Sequence, residues 1–541
     1  MTNSGLQSNN TNTRSISLGS STISPGLLNP FLTFTTATNL TFNAGTSTIT
    51  SAATSPTFNG GGLAFYNVSF TSTSAGTVTL NGANTFNNLS FTGLTSAGLK
   101  NIDLSANQTV NGTLTFSAGT NATMRHFCRS DTIGTTRTIT AAAFSGTDVD
   151  FRDITIAGAA APVSGTRLGD AKGNSGITFV AGKTVYWNNS TSGLGWGGNT
   201  ATWATSAGGS VDLNNFPLAQ DTAIIPATPL PTGSTISLNA SWNVGTIDMS
   251  ARTSNTMTLA TSTNTPTIYG NWINGTGTTL TGTGAMTFAG RGAQTITSAG
   301  KTFTQSFTIN NPGGSVTLQD AFTGTNTGVN TINLFAGTFD ANSYNVTVTT
   351  FGGAVTTART AAIGSGTWTL SGSGTQVWNF GTSTNLTVTG TGTISLTSAS
   401  AKTFAGGGIS YSGITLDQGG AGTLTITGNN TFKDITNSYK ATGAANITIG
   451  TTTQTVSQFT AAGESGRVLT LQGTSATSPG TLVLSTTTKP NVDYLTITGV
   501  RAYSLDTTWY AGTNSTNNGS LGWYFEVAPV SGTTNNFFLV F

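Results

Sequence analysis

An all-β fold is what this sequence predicts, specifically an elongated, right-handed parallel β-helix or β-solenoid with its coils in two stacks, each finished by a closing β-module. Three observations carry that expectation. Charged residues make up only 7% of 541 residues, whereas Thr, Ser, Asn and 70 glycines dominate. Such a mixture favours strands and turns and leaves no charged face for an amphipathic surface helix. Apolar residues alternate with polar ones in runs of only three to five residues, each bounded by Gly, Asn or Ser. Runs that short suit coils stacked about 4.8 Å apart along one axis. Finally, segments recur: Val78-Thr-Leu-Asn-Gly-Ala-Asn-Thr-Phe86 matches Leu424-Thr-Ile-Thr-Gly-Asn-Asn-Thr-Phe432. Disorder is the wrong class, because 36% of the residues are hydrophobic, 29 of them phenylalanine, and the net charge is only +2.

Taken in order, residues 1–30 are polar and aperiodic and read as an arm, either a docking segment or a disordered terminus. Coils of roughly 20–25 residues, within the usual solenoid range, fill 31–148. Their strands include Asn39–Phe42, Asn67–Phe70, Asn88–Phe91 and Gly112–Phe116. A second recurring device is a polar corner followed by an arginine that opens a strand, at Arg137, Arg359 and Arg467. Residues 149–187 form the first closing module, and 492–525 echo it. Between the stacks, 188–230 is a bridge rich in Trp, Gly and Pro. Coils resume over 231–491, and 526–541 is a C-terminal strand or tail ending in Phe537-Phe-Leu-Val-Phe541.

Candidate chemistry is sparse. The single histidine, His126, lies near Arg125, Cys128 and Arg129 without a nucleophile-elbow sequence. One His and one Cys are too few for a soft-metal site. Cys128 has no partner for a disulfide and reads as a buried thiol. The strongest enzymatic option is a pair of carboxylates on one strand face, as glycan-cleaving solenoids use. Asp148 and Asp150 fall at that spacing. Yet Asp148, Asp150, Asp153 and Asp170 interleave with Arg152, Arg167 and Lys172. Opposite charges so mixed suit a structural network better than catalysis or Ca²⁺ binding, and no Asp-x-Asp-x-Asp-Gly loop supports calcium. Trp187, Trp196, Trp203, Trp509, Tyr510 and Trp523 are candidate ligand or interface aromatics, with module plugging as the plainer role. No catalytic, metal or cofactor residues are assigned. The opening residues lack a signal-peptide pattern, no run of 18 apolar residues spans a membrane, and nothing in the charge suggests nucleic acid.

Two groups of residues resemble a known class. The run Phe151-Arg-Asp-Ile-Thr-Ile-Ala-Gly158 through Gly169-Asp170, Gly173-Asn-Ser-Gly176 and Lys183-Thr-Val-Tyr-Trp187 is similar to segments of virion structural proteins of tailed bacteriophages, marine and cyanobacterial ones above all. So are the spaced tryptophans 187, 196 and 203 with Phe216-Pro217 and Asp221–Ile225, and the ending Trp509-Tyr-Ala-Gly512 through Gly522-Trp523. That resemblance covers about a third of the chain. It implies a β-helical tail fibre, tailspike or related appendage, assembled in the host cytoplasm into the virion and commonly a homotrimer. It supplies no catalytic residues. The function expected is therefore non-enzymatic recognition of the host surface, a glycan or a protein, with attachment to other virion proteins through the N-terminal arm. Three alternatives remain: a tailspike that degrades surface polysaccharide, a capsid fibre or decoration protein, and a bacterial adhesin. The terminal Phe541 resembles the last strand of an outer-membrane barrel, but no set of lipid-facing strands precedes it.

Overall fold

The computed structural model describes residues 5–25, 27–324, 330–440, 445–504 and 508–529. The terminal run 537–541 lies outside them. The chain is all-β, its strands stacked in parallel as a β-solenoid of about 21 turns. Two compact units divide at 320/321.

In the first unit, residues 5–183 build one stack. An eight-stranded parallel sheet includes Thr77–Asn81, Gly98–Leu104, Met124–Ser130 and Val149–Arg152, and ends on Gly169–Asp170. A seven-stranded sheet runs from Thr22–Ile23 to Ile154–Ala157 through Thr85–Phe91, Gln108–Phe116 and Arg137–Gly146. In-register pairing puts like residues above one another. Phe70, Phe91 and Phe116 thus stack ring on ring at 5.2 Å per step. Fully burying each such ring contributes about 1.5–3 kcal/mol. The opening residues are not a separate arm. Leu6–Gln7 pairs with Leu32–Thr33, Arg14–Ser17 with Leu40–Asn43, and Thr22–Ile23 with Thr48–Ile49. Their apolar positions are few and spaced apart, Leu6, Ile16, Leu18 and Ile23, and all four pack on the core of the stack.

New sheets begin at Thr184–Trp187, which runs antiparallel to Trp203–Ala204 and parallel to Thr222–Ile224. Coils follow to Asp320, with Asn243–Val244, Thr267–Ile268 and Met286–Phe288 in one sheet and Ser234–Ser237, Met257–Ala260 and Thr278–Thr281 in another. This second stack packs beside the first. Phe127 is buried in a cluster with Ala171, Ala219, Tyr269 and Ala289.

The second unit repeats the plan. One wall includes Leu386–Thr389, Lys402–Ala405, Leu424–Thr427 and Asn446–Gly450, and another Val346–Val348, Thr367–Leu370, Thr393–Leu396 and Ser410–Gln418. Trp368 and Trp378, with Phe351, Phe380 and Phe404, fill its core.

The matched repeats are one corner built twice. Asn84 and Asn430 are each 1% exposed. Asn84 Nδ2 donates to Asn81 O and Gly82 O, and Asn430 Nδ2 to Thr427 O and Gly428 O. Each amide also meets a glutamine 24 residues on, Gln108 or Gln454. Gly82 and Gly428 sit at φ +84° and +83°, where a side chain would be strained. The three strand-opening arginines do not share one role. Arg359 is buried and donates to four backbone carbonyls, whereas Arg137 pairs with Asp131 and Arg467 with Glu464. Arg252, outside that pattern, is also buried against corner carbonyls, those of Pro226, Ala227 and Leu230 among them.

Candidate functional site

The charge cluster lies where the two stacks of the first unit meet. Alternation along Met124–Ser130 explains its composition. His126 and Cys128 pair in register with Val149 and Phe151, and Cys128, Val149 and Phe151 belong to the core of the first stack. Arg125, Phe127 and Arg129 occupy the opposite face. There the register makes columns: Asn101, Phe127 and Asp150 in one, Asp103, Arg129 and Arg152 in the next.

Covering that face buries the charges, so each must be paired. Arg125 donates from Nη2 and Nε to Asp150 Oδ1 at 2.6 and 3.0 Å and from Nη1 to Asp148 Oδ1 at 3.3 Å. Arg167 forks onto Asp148 at 2.6 and 2.7 Å. From the second stack, Asn243 Nδ2 reaches Asp150 Oδ2 at 2.9 Å, and Arg291 pairs with Asp153, which also accepts from Gly134 N at 3.1 Å. Gln220 takes the backbone amide of Asp170 at 2.9 Å and donates to Leu168 O at 3.1 Å. Asp170 itself holds Lys172 at 3.0 Å. Arg152 donates to Ser130 O and lies 3.6 Å from Asp153.

This network also holds backbone strain. Asp148, Asp153, Arg167 and Lys172 all have positive φ, between 53° and 72°. A non-glycine residue persists there only when its surroundings fix it. The protonation states follow from burial and pairing. The hydrogen bonds that Arg167 donates to Asp148 raise the Arg167 guanidinium further. Burial lifts the Asp153 carboxyl against the pull of Gly134 N–H and Arg291. Burial brings His126 down to about 4 and pushes the Cys128 thiol up.

Asp148 and Asp150, the strongest catalytic candidates, are 0% and 2% exposed, and guanidinium groups with the Asn243 amide occupy their oxygens. A cation would have to displace Arg125. Among the described residues no group of three or more His, Cys, Asp or Glu side chains converges on a point.

The candidate aromatics are all buried. Trp203 meets Trp187 and Trp196 edge-on at 5.4 and 4.7 Å, plugging the start of the second stack. Trp509 and Trp523 pair in register at 5.0 Å, and Tyr510 lies against Tyr524. These rings are spent on one another, in the plugging role.

The two echoed segments share local geometry. Asp153 and Tyr494 both adopt φ near +58° just before Ile154–Ala157 and Leu495–Thr498. The first amide of each strand donates to a side chain 20 residues on, Asn174 or Ser515.

Beside the network, an open groove of about 670 Å³ separates the stacks. Asn101, Phe127, Arg129 and Arg152 line one wall, and Asn243, Asn264, Thr265, Thr267 and Thr287 the other. Sequence reasoning missed this groove and the partners Asn243 and Arg291, which lie 93 and 138 residues from their aspartates. Nothing local in a sequence signals such a pairing.

Comparison with protein-family models, with curated proteins and with solved structures found no match to the chain.

Proposed function

We propose that the chain is a non-enzymatic virion appendage protein of fibre type, which recognises a host surface. The observation that carries this reading is the engagement of its clustered carboxylates. Asp148 and Asp150 are buried and held by arginines, as a structural joint requires and a general acid–base pair does not. The stacked coils also repeat the same polar groups along one direction. Several copies on one particle would multiply a weak affinity for a repetitive surface.

Immuno-electron microscopy of assembled particles tests the virion assignment. Label at the tail supports a tail appendage, label on the shell a capsid fibre, and no label on particles overturns the reading. Incubating the intact protein with surface polysaccharide tests the enzymatic alternative. Unchanged polymer length is expected, and shortening would establish a degrading tailspike.

A further inference from the structure

We propose that the groove between the two stacks of the first unit binds an acidic oligosaccharide, a glycan whose sugars carry carboxylates. The proposal rests on the surface-recognition reading and assigns it a site and a ligand class.

Charge comes first. The lining contains two guanidinium groups, Arg129 and Arg152, and no carboxylate. Arg129 is matched by Asp103. Arg152 shares Asp153 with Arg291, so two cations stand against one anion there. Arg152 is 5% exposed, donates to Ser130 O and lies 3.6 Å from Asp153, so its charge acts on the groove as a field rather than through a free donor. Both guanidinium groups lie over the Phe127 ring, 5.1 and 5.4 Å from its centre. That contact fixes where the two positive charges sit beside the groove, which favours a negatively charged ligand over a neutral one.

The remaining groups favour sugar over peptide. Thr267 and Thr287 stand in register on successive coils, facing a wall that carries Asn101, whereas the Asn243 amide is committed to Asp150. Hydroxyls repeated at the coil spacing can hydrogen-bond successive hydroxyls of a regular polymer. A peptide would add to a free strand edge or fill apolar pockets. Here Gly98–Leu104 is already paired on both sides, by Thr77–Asn81 and Met124–Ser130, and Thr267–Ile268 likewise by Asn243–Val244 and Met286–Phe288.

Titration calorimetry on the intact chain tests the site, with a galacturonic acid oligomer as probe. Its methyl ester, a neutral galactose oligomer and oligoglutamate serve as comparisons. Saturable binding of the acid oligomer is expected, weakened at least tenfold by esterification and by raised salt. Thr265→Trp, an exposed rim change that leaves the core alone, and Arg152→Gln should each weaken binding at least tenfold. Equal binding of the ester or of the galactose oligomer would overturn the proposal, as would equal binding of oligoglutamate. So would an unchanged Thr265→Trp variant, whether or not Arg152→Gln folds. A chain that binds host cells but not the acid oligomer overturns this inference alone. A chain that binds the oligomer but no host surface supports the groove and overturns the recognition reading.

Discussion

Replacing Arg125 with methionine probes the joint between the stacks at its most connected residue. Arg125 is 1% exposed and makes five hydrogen bonds, three of them to Asp148 and Asp150. Without it, Asp148 retains the Arg167 fork, but Asp150 keeps only the neutral amide of Asn243. Removing one partner of a buried ion pair costs about 3–5 kcal/mol, mainly by stranding the other charge. The cost should therefore centre on Asp150. An Arg125→Met/Asp150→Asn double variant should be less damaged than the sum of the two single changes. Hydrogen exchange of peptides covering Met124–Ser130 and Val149–Arg152 reads the effect locally. A loss of about 4 kcal/mol corresponds to exchange roughly a thousandfold faster in Arg125→Met. Acceleration under tenfold, or strict additivity in the double variant, would refute the reasoning.

Three further outcomes follow from the same contacts. His126 is buried as the neutral ring, so the unfolded chain takes up a proton below about 6.5 and the folded chain only near 4. Stability should fall by roughly 3 kcal/mol as pH drops through that window, and a His126→Phe variant followed by thermal melts across pH should lose most of the dependence. Asn430→Ala takes the Asn430 donor from the buried Gln454 Oε1, whereas the carbonyls of Thr427 and Gly428 keep Gly406 N and Gln454 Nε2, so the cost should be roughly 1–3 kcal/mol, that of one buried group left unsatisfied. Exchange at 424–436 should report it, and a cost no greater than about 0.5 kcal/mol, that of an ordinary surface substitution, would show the corner to be dispensable. Trp378→Ala opens a cavity beside Phe351, Phe404 and Tyr411 and should cost about 3–5 kcal/mol by chemical denaturation.

Local pattern carried the coil class into view. Alternation in Asn67–Phe70 and Asn88–Phe91 and the repeat at 78–86 and 424–432 are one-coil properties, and the structure repeats them coil by coil. The same logic failed at residues 5–25, where apolar residues are too sparse for the alternation to stand out although the strands pair with the next coil. Charge interleaving around Asp150 was visible in the sequence, but its purpose was not, because Asn243 and Arg291 come from a different stack. The candidate aromatics show a related limit. Trp196 and Trp203 sit in a glycine-rich stretch that suggests exposure, whereas their rings close the start of a stack.

A designed cross-link tests most directly the claim that the two stacks of residues 5–320 lie side by side. A β-carbon placed on Gly134 would lie 3.5 Å from Pro312 Cβ, within disulfide range. Gly134 has φ +92°, so a cysteine there costs about 1–3 kcal/mol, and Cys128 is fully buried and does not compete. The Gly134→Cys/Pro312→Cys variant should oxidise to an intramolecular disulfide in the folded protein, identified by peptide mass mapping, whereas a Gly134→Cys/Thr265→Cys control should not. Free thiols in the first variant, or equal linkage in the second, would contradict the paired stacks on which the joint and the groove both depend.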